Sequence, residues 1–160
     1  MLGLLMMAMY QKKKKKRKPR SDLKKLNDTL DDLWRKIIVI RDGNQCKKCG
    51  KRKSKGSGNS IQPHHIYGRS NFRVRWNLSN GIALCGGCHT LTNYSAHKAP
   101  ADFINWVKEE RGEDWWIKLL EEANKEGGSR KWTILEKKDL EIELEWTLHK
   151  LQMKHSPTTN

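Results

Sequence analysis

Between Ser21 and Asp42 the apolar residues Leu23, Leu26, Leu30, Leu33, Trp34, Ile37 and Ile38 recur three or four apart, the spacing of one helix face. Ser21 suits the N-cap, and Gly43 suits the left-handed residue that closes the helix near Arg41–Gly43. The pattern then breaks into Cys46-Lys-Lys-Cys49, a knuckle-like turn, and a Lys/Gly/Ser loop from Lys51 to Ser60. Ile61–Ile66 and Ile82–Leu84 read as short strands, the second ending at Cys85-Gly-Gly-Cys88, and His89 begins another helix. Pro100 suits the first turn of a helix striped by Phe103, Ile104, Trp106 and Val107 up to Gly112. Trp115, Trp116, Leu119 and Leu120 continue in a further helix that Gly127–Gly128 terminate. The last segment carries two patterns. Leu140, Ile142, Leu144, Trp146 and Leu148 alternate as in a strand, while Leu140, Leu144, Leu148 and Leu151 make a helical stripe. Its Leu, Glu and Lys content favours helix. The expected fold is α+β and mainly helical, with a small strand pair at its centre. Residues 1–20 form a disordered arm, 21–126 the main domain and 127–160 a C-terminal helical extension.

Charge sharpens this outline. The chain has 33 Lys+Arg against 18 Asp+Glu, a formal charge of +15, which favours a polyanionic partner. Lys12 to Lys16, Arg17, Lys18 and Arg20 load the arm, and no acid occurs between Gly43 and Pro100. After Pro100 acidic helices take over, with Glu121, Glu122, Glu141 and Glu143. The middle of the chain is thus the part suited to phosphate. The opening MLGLLMMAMY is too short to span a membrane, and its positive charges follow the apolar run, the reverse of a signal peptide. The expected location is the cytoplasm. KKKKKRKPR reads equally as a phosphate-binding arm or a nuclear-localisation signal.

All four cysteines fall in two Cys-x-x-Cys pairs, Cys46/Cys49 and Cys85/Cys88. Four thiolates in two such turns can close a tetrahedral zinc site with no coordination position left for chemistry. Disulfides suit a secreted chain, and a redox pair would need a thioredoxin-like βαβ context that is missing. The expectation is a structural Zn²⁺ that clips the first helix and its loop to the second strand.

The thiolates leave Pro63-His64-His65-Ile66, Asn80 ahead of the second strand, and His89 after Cys88 unexplained. His65, Asn80 and His89 stand 15 and then 9 positions apart. Over about residues 35 to 95 this arrangement resembles the HNH endonucleases, the ββα-metal nucleases, and the cysteine pairs resemble their zinc-bearing, free-standing phage and bacterial branch. The resemblance implies a metal-dependent endonuclease that hydrolyses DNA phosphodiester bonds and leaves 5′-phosphate and 3′-hydroxyl ends. It assigns His65 to the general base, and to Asn80 the orientation of that imidazole or its supporting loop. His64 and His89 become metal ligands, with Asn93, one turn beyond His89, as a third. Asn77 is the alternative to Asn80. The resemblance also suggests a role in phage genome processing or packaging, beside a terminase.

The chemistry suits the residues. Attack on an anionic diester builds charge that one divalent cation can neutralise, and imidazole is the base whose ordinary pKa lies nearest neutrality. Many family members place Asp before the base histidine, where this chain has His64. A site of imidazoles, amide and water accepts Mn²⁺, Ni²⁺, Co²⁺ or Zn²⁺ more readily than an all-oxygen site, and Mg²⁺ can borrow oxygens from substrate and water. Arg69, Arg73 and Arg75, between the strands, are read as phosphate clamps or as a solvated loop. Gln62 is read as an ordinary strand residue, ahead of a contact to substrate or metal water, and His97 as a structural or capping residue, ahead of a metal ligand. His149 and His155 have no partners nearby in sequence, and the tryptophans on amphipathic stripes read as core. Two other functions use part of the same pattern. A non-catalytic zinc-dependent DNA-binding module would leave the histidines idle, and a zinc adaptor binding protein through its Trp-rich helices would leave the basic middle idle.

Overall fold

The computed structural model describes residues 21–52, 60–125 and 130–155. The basic arm, most of the Lys51–Ser60 loop and the Gly127–Gly128 stop lie outside the described residues. Helix α1, Asp22–Arg41, starts where the Ser21 side chain accepts a hydrogen bond from the Lys24 N–H. It buries Leu30, Trp34, Ile37 and Ile38 along the expected stripe. Gly43 takes a positive φ of 75° just past its end, as expected of a left-handed closing residue.

Strands β1, Ile61–His65, and β2, Gly81–Cys85, pair antiparallel, with Ile61 opposite Cys85 and His65 opposite Gly81. Every residue of β2 is buried. That burial explains why its sequence is a continuous apolar run rather than an alternation. Gly81 lies against α1: a Cβ there would overlap Ile38 and come within 2.7 Å of Trp34. Arg41 and Arg111 both donate to the Gly81 carbonyl, and each also holds a carbonyl of the preceding turn, Leu78 or Ser79. Asp42 accepts from the Ala83 N–H, which fixes the end of α1 to β2.

The helix expected from His89 onward is only a five-residue turn, Gly87–Leu91. The chain then reverses, with Ala96 N–H donating to the Cys88 carbonyl and His97 N–H to the His89 carbonyl. Helices α2, Pro100–Arg111, and α3, Glu113–Asn124, follow, broken at Gly112, whose φ is 88°. The ambiguous last segment is helical: α4 spans Ile134–His155. Thr133 and Glu136 start it with a reciprocal cap, Glu136 N–H donating to the Thr133 hydroxyl and Thr133 N–H to the Glu136 carboxylate. α4 packs along α1, and Leu144 enters the same core as Leu30, Trp34 and Ile38. The fold is therefore mainly helical α+β around a two-stranded hairpin, with a four-cysteine cluster bridging its segments. No helix among the described residues is long and apolar enough to cross a membrane.

Candidate functional site

Two ligand clusters grow from the hairpin. In the first, the Sγ atoms of Cys46, Cys49, Cys85 and Cys88 all lie within 4.8 Å of one another. Cys46 sits in a turn closed by Gly50, whose N–H donates to the Cys46 carbonyl, and the Lys47 N–H ties that turn to Ala83 on β2. Cys49 and Cys85 are 3.7 Å apart. That is too long for a disulfide, and it matches the edge of about 3.8 Å expected for sulfurs bound at about 2.3 Å around a tetrahedral ion. Burial opposes the Cys85 thiolate, but hydrogen bonds from the Cys88 backbone and the neighbouring thiols outweigh it and bring the group down to about 7. The donor set is consistent with a structural zinc.

In the second cluster the imidazoles of His64, His89 and His97 converge, again with one ligand atom each inside 4.8 Å. Ring centroids lie 5.1 Å apart for His64 and His89, 5.0 Å for His64 and His97, and 4.9 Å for His89 and His97. His89 Nδ1 is 2.7 Å from Gln62 Oε1. A carbonyl oxygen can only accept, so Nδ1 bears the proton and Nε2 keeps its lone pair. That Nε2 faces His97 Nε2 at 3.2 Å, close to the edge of about 3.3 Å for two nitrogens bound at about 2.05 Å around a tetrahedral ion. Burial, with the neighbouring imidazoles, pushes His64 down to about 3, so it is neutral near pH 7 and free to donate a lone pair. Three imidazoles in this arrangement could hold a metal ion.

His65 stands beside this cluster without belonging to it. Its ring stacks on Trp34, centroids 3.8 Å apart and planes 8° from parallel, and its Nε2 lies 2.8 Å from the Arg75 carbonyl. Nε2 must donate there, which leaves Nδ1 as the only lone pair on the ring. Burial is the main cause that lowers His65 to about 4, with the Arg75 hydrogen bond opposing it. Asn80 acts one step behind. Fully buried, it donates to the Tyr67 and Val74 carbonyls and accepts from the Tyr67 N–H at 2.6 Å. It thereby fixes both ends of the loop whose Arg75 carbonyl holds His65. Asn77 instead caps the turn before β2 through the Ser79 N–H.

His64, His65, His89 and His97 open onto one cleft of about 540 Å³, walled also by Trp34, Arg35, Gly68 and Arg69. Of the arginines expected to meet phosphate, Arg69 fits the cleft, with a 55% exposed side chain and one bond to Asp31. Arg75 is committed elsewhere: only 13% exposed, it grips the Asp31 carboxylate through Nε and Nη2. Burial works against the Asp31 charge, but the Arg75 and Trp76 hydrogen bonds outweigh it and hold the carboxyl below its usual range. Arg73 lines a separate hollow between Trp76, Trp132 and α4. Asn93 lies in an exposed turn past the end of the short helix, so the geometry that would have placed it one turn above His89 is not formed.

Sequence reasoning missed Arg35 and Asp31, and ranked His97 and Gln62 below the place that the cluster gives them. A usable signal existed for two of them. Gln62 shares a strand face with His64 by its period of two, and Asp31 is an acid set beside Leu30 on an apolar helical stripe. Comparison with family models, curated proteins and solved structures returned no match.

Proposed function

We propose that this protein is a metal-dependent endonuclease of the HNH kind, acting on DNA phosphodiester bonds. The observation that supports it is a three-imidazole cluster sharing one cleft with a fourth imidazole whose tautomer is fixed. In this reading Cys46, Cys49, Cys85 and Cys88 hold a structural Zn²⁺, and His64, His89 and His97 hold a catalytic divalent ion. When bound, that ion supplies positive charge at the phosphate and at the departing oxygen. His65 takes the proton of the attacking water on Nδ1, while the Arg75 carbonyl steadies the imidazolium that forms. Trp34 holds the ring in plane, and Asn80 holds the loop that positions the carbonyl. Arg69 and Arg35 at the cleft wall contact flanking phosphates. Cleavage of phage DNA during packaging, beside a terminase, is the setting this activity suits.

Supercoiled plasmid incubated with the protein and Mg²⁺, Mn²⁺, Ni²⁺, Co²⁺ or Zn²⁺ should become nicked or linear. His65→Ala should bind DNA and metal as before but cut about 10²- to 10⁴-fold more slowly, the usual worth of a general base. Equal cutting by both proteins would remove His65 from the mechanism. DNA binding without cutting under every metal would make the protein a zinc-dependent DNA-binding module instead.

A further inference from the structure

Helix α4 is apolar on two opposite faces. One, centred on Leu144 and flanked by Leu140, Leu148 and Leu151, packs into the core with α1. Turned through half a revolution, Leu135, Ile142, Trp146 and Met153 are 69%, 66%, 58% and 65% exposed. Nothing among the described residues buries them. With Asp139 and His149 they form a row with steps of four, three, four, three and four, the spacing of a two-helix seam. This second row is why the segment alternates like a strand: a helix apolar on both sides has no single stripe to read. Trp146 is already ordered by its own helix, stacked with the His149 ring and covered by the Lys150 ammonium at 4.8 Å.

We infer that this face binds a second copy of the chain, the two α4 helices lying parallel along the Leu135–Met153 seam. The flanking charges select that partner and that direction. Lys138 and Glu145 border the seam on one side, Glu143 and Lys150 on the other. In a parallel pair each residue of the first flank meets the residue five positions later on the other helix. Lys138 then faces Glu143 of the second copy, Glu145 faces Lys150 of the second copy, and symmetry doubles both contacts. Full antiparallel overlap would set Glu143 against Glu143 and Glu145 against Glu145 at its centre. Asp139 meets its own copy across the axis, a polar seam position that fixes register at the expense of affinity. The dimer is therefore a reversible one. This inference is independent of the nuclease reading, because it uses no residue of the cleft.

Sedimentation equilibrium of the full chain tests it. The wild type should pass from monomer to dimer as concentration rises through the micromolar range. Trp146→Glu should stay monomeric with unchanged helicity by circular dichroism, since Trp146 lies outside the core. Glu145→Lys should weaken association roughly tenfold through its two symmetric contacts, and adding Lys150→Glu should restore it. A wild type that remains monomeric at hundreds of micromolar would overturn the proposal, whatever covers the seam. So would a Trp146→Glu protein that still dimerises. A double variant no tighter than Glu145→Lys would overturn the parallel pairing, since an antiparallel pair gains nothing from the swap.

Discussion

The cysteine and histidine clusters hang from the same short turn, where Cys88 belongs to one and its neighbour His89 to the other. They are built to opposite specifications. The cysteine cluster offers four identical soft donors and closes on itself at the end of β2 where Ile61 pairs with Cys85. The histidine cluster offers three donors and faces a cleft wide enough for a ligand. Four donors satisfy a tetrahedral ion completely, whereas three leave room for water or substrate. One hairpin thus carries a closed centre suited to holding the fold and an open one that could hold a second metal.

The comparison breaks most sharply if the closed centre is not structural. Cys46→Ser should lose one equivalent of zinc by metal analysis and lose its cooperative thermal melt, because structural zinc contributes on the order of 10 kcal/mol in small domains. A variant that melts like wild type would end the distinction between the centres. Next in size is Asn80→Ala, which strands the buried Val74 carbonyl and the part-buried N–H and carbonyl of Tyr67 and should cost about 3 kcal/mol in urea unfolding. Under the proposed nuclease function it should also slow cleavage, because the loop behind His65 loosens, while zinc content stays at wild type.

Asp31→Asn tests the support of the open side from α1, and should cost about 2 kcal/mol near pH 7, because the largely buried Arg75 loses its counter-charge while the amide keeps part of the hydrogen bonding. The Asp31 carboxyl is held below its ordinary value of 3.8 in the folded state. Its stabilisation is therefore complete above that value and lost as pH falls through the folded pKa. The gap between wild type and Asp31→Asn should accordingly shrink in urea titrations carried below pH 3.8. The smallest effect separates two neighbours of the open centre. His97→Ala should weaken Mn²⁺ binding by at least about tenfold in calorimetry, and Asn93→Ala should leave it unchanged. The reverse result would return the third ligand to Asn93.

What could be read from the chain follows its local regularity. α1 was legible because its stripe, cap and closing glycine agree, and β2 because a short apolar run bounded by Gly81 and Cys85 suits a buried strand. Paired Cys-x-x-Cys turns announce their cluster because each turn is local. His97 announces nothing. It stands eight residues after His89, and only the chain reversal, with its backbone bonds from Ala96 to Cys88 and from His97 to His89, brings the rings together. Arg75 misleads for a similar reason. Its acid-free surroundings suggest phosphate, whereas its partner Asp31 lies 44 residues away on α1.

Gly81 sets a dimension of the cleft by what it lacks. It sits opposite His65 in the hairpin and beneath Trp34 and Ile38 of α1. Even an alanine methyl there would have to displace the indole on which His65 is stacked. The aromatic wall therefore takes its height from an absent carbon atom, and the imidazole takes its resting plane from that wall. Position 81 works as a spacer gauge. Residues far from the cleft can drift in size as the core repacks, but at this position one added methyl group would tilt the ring.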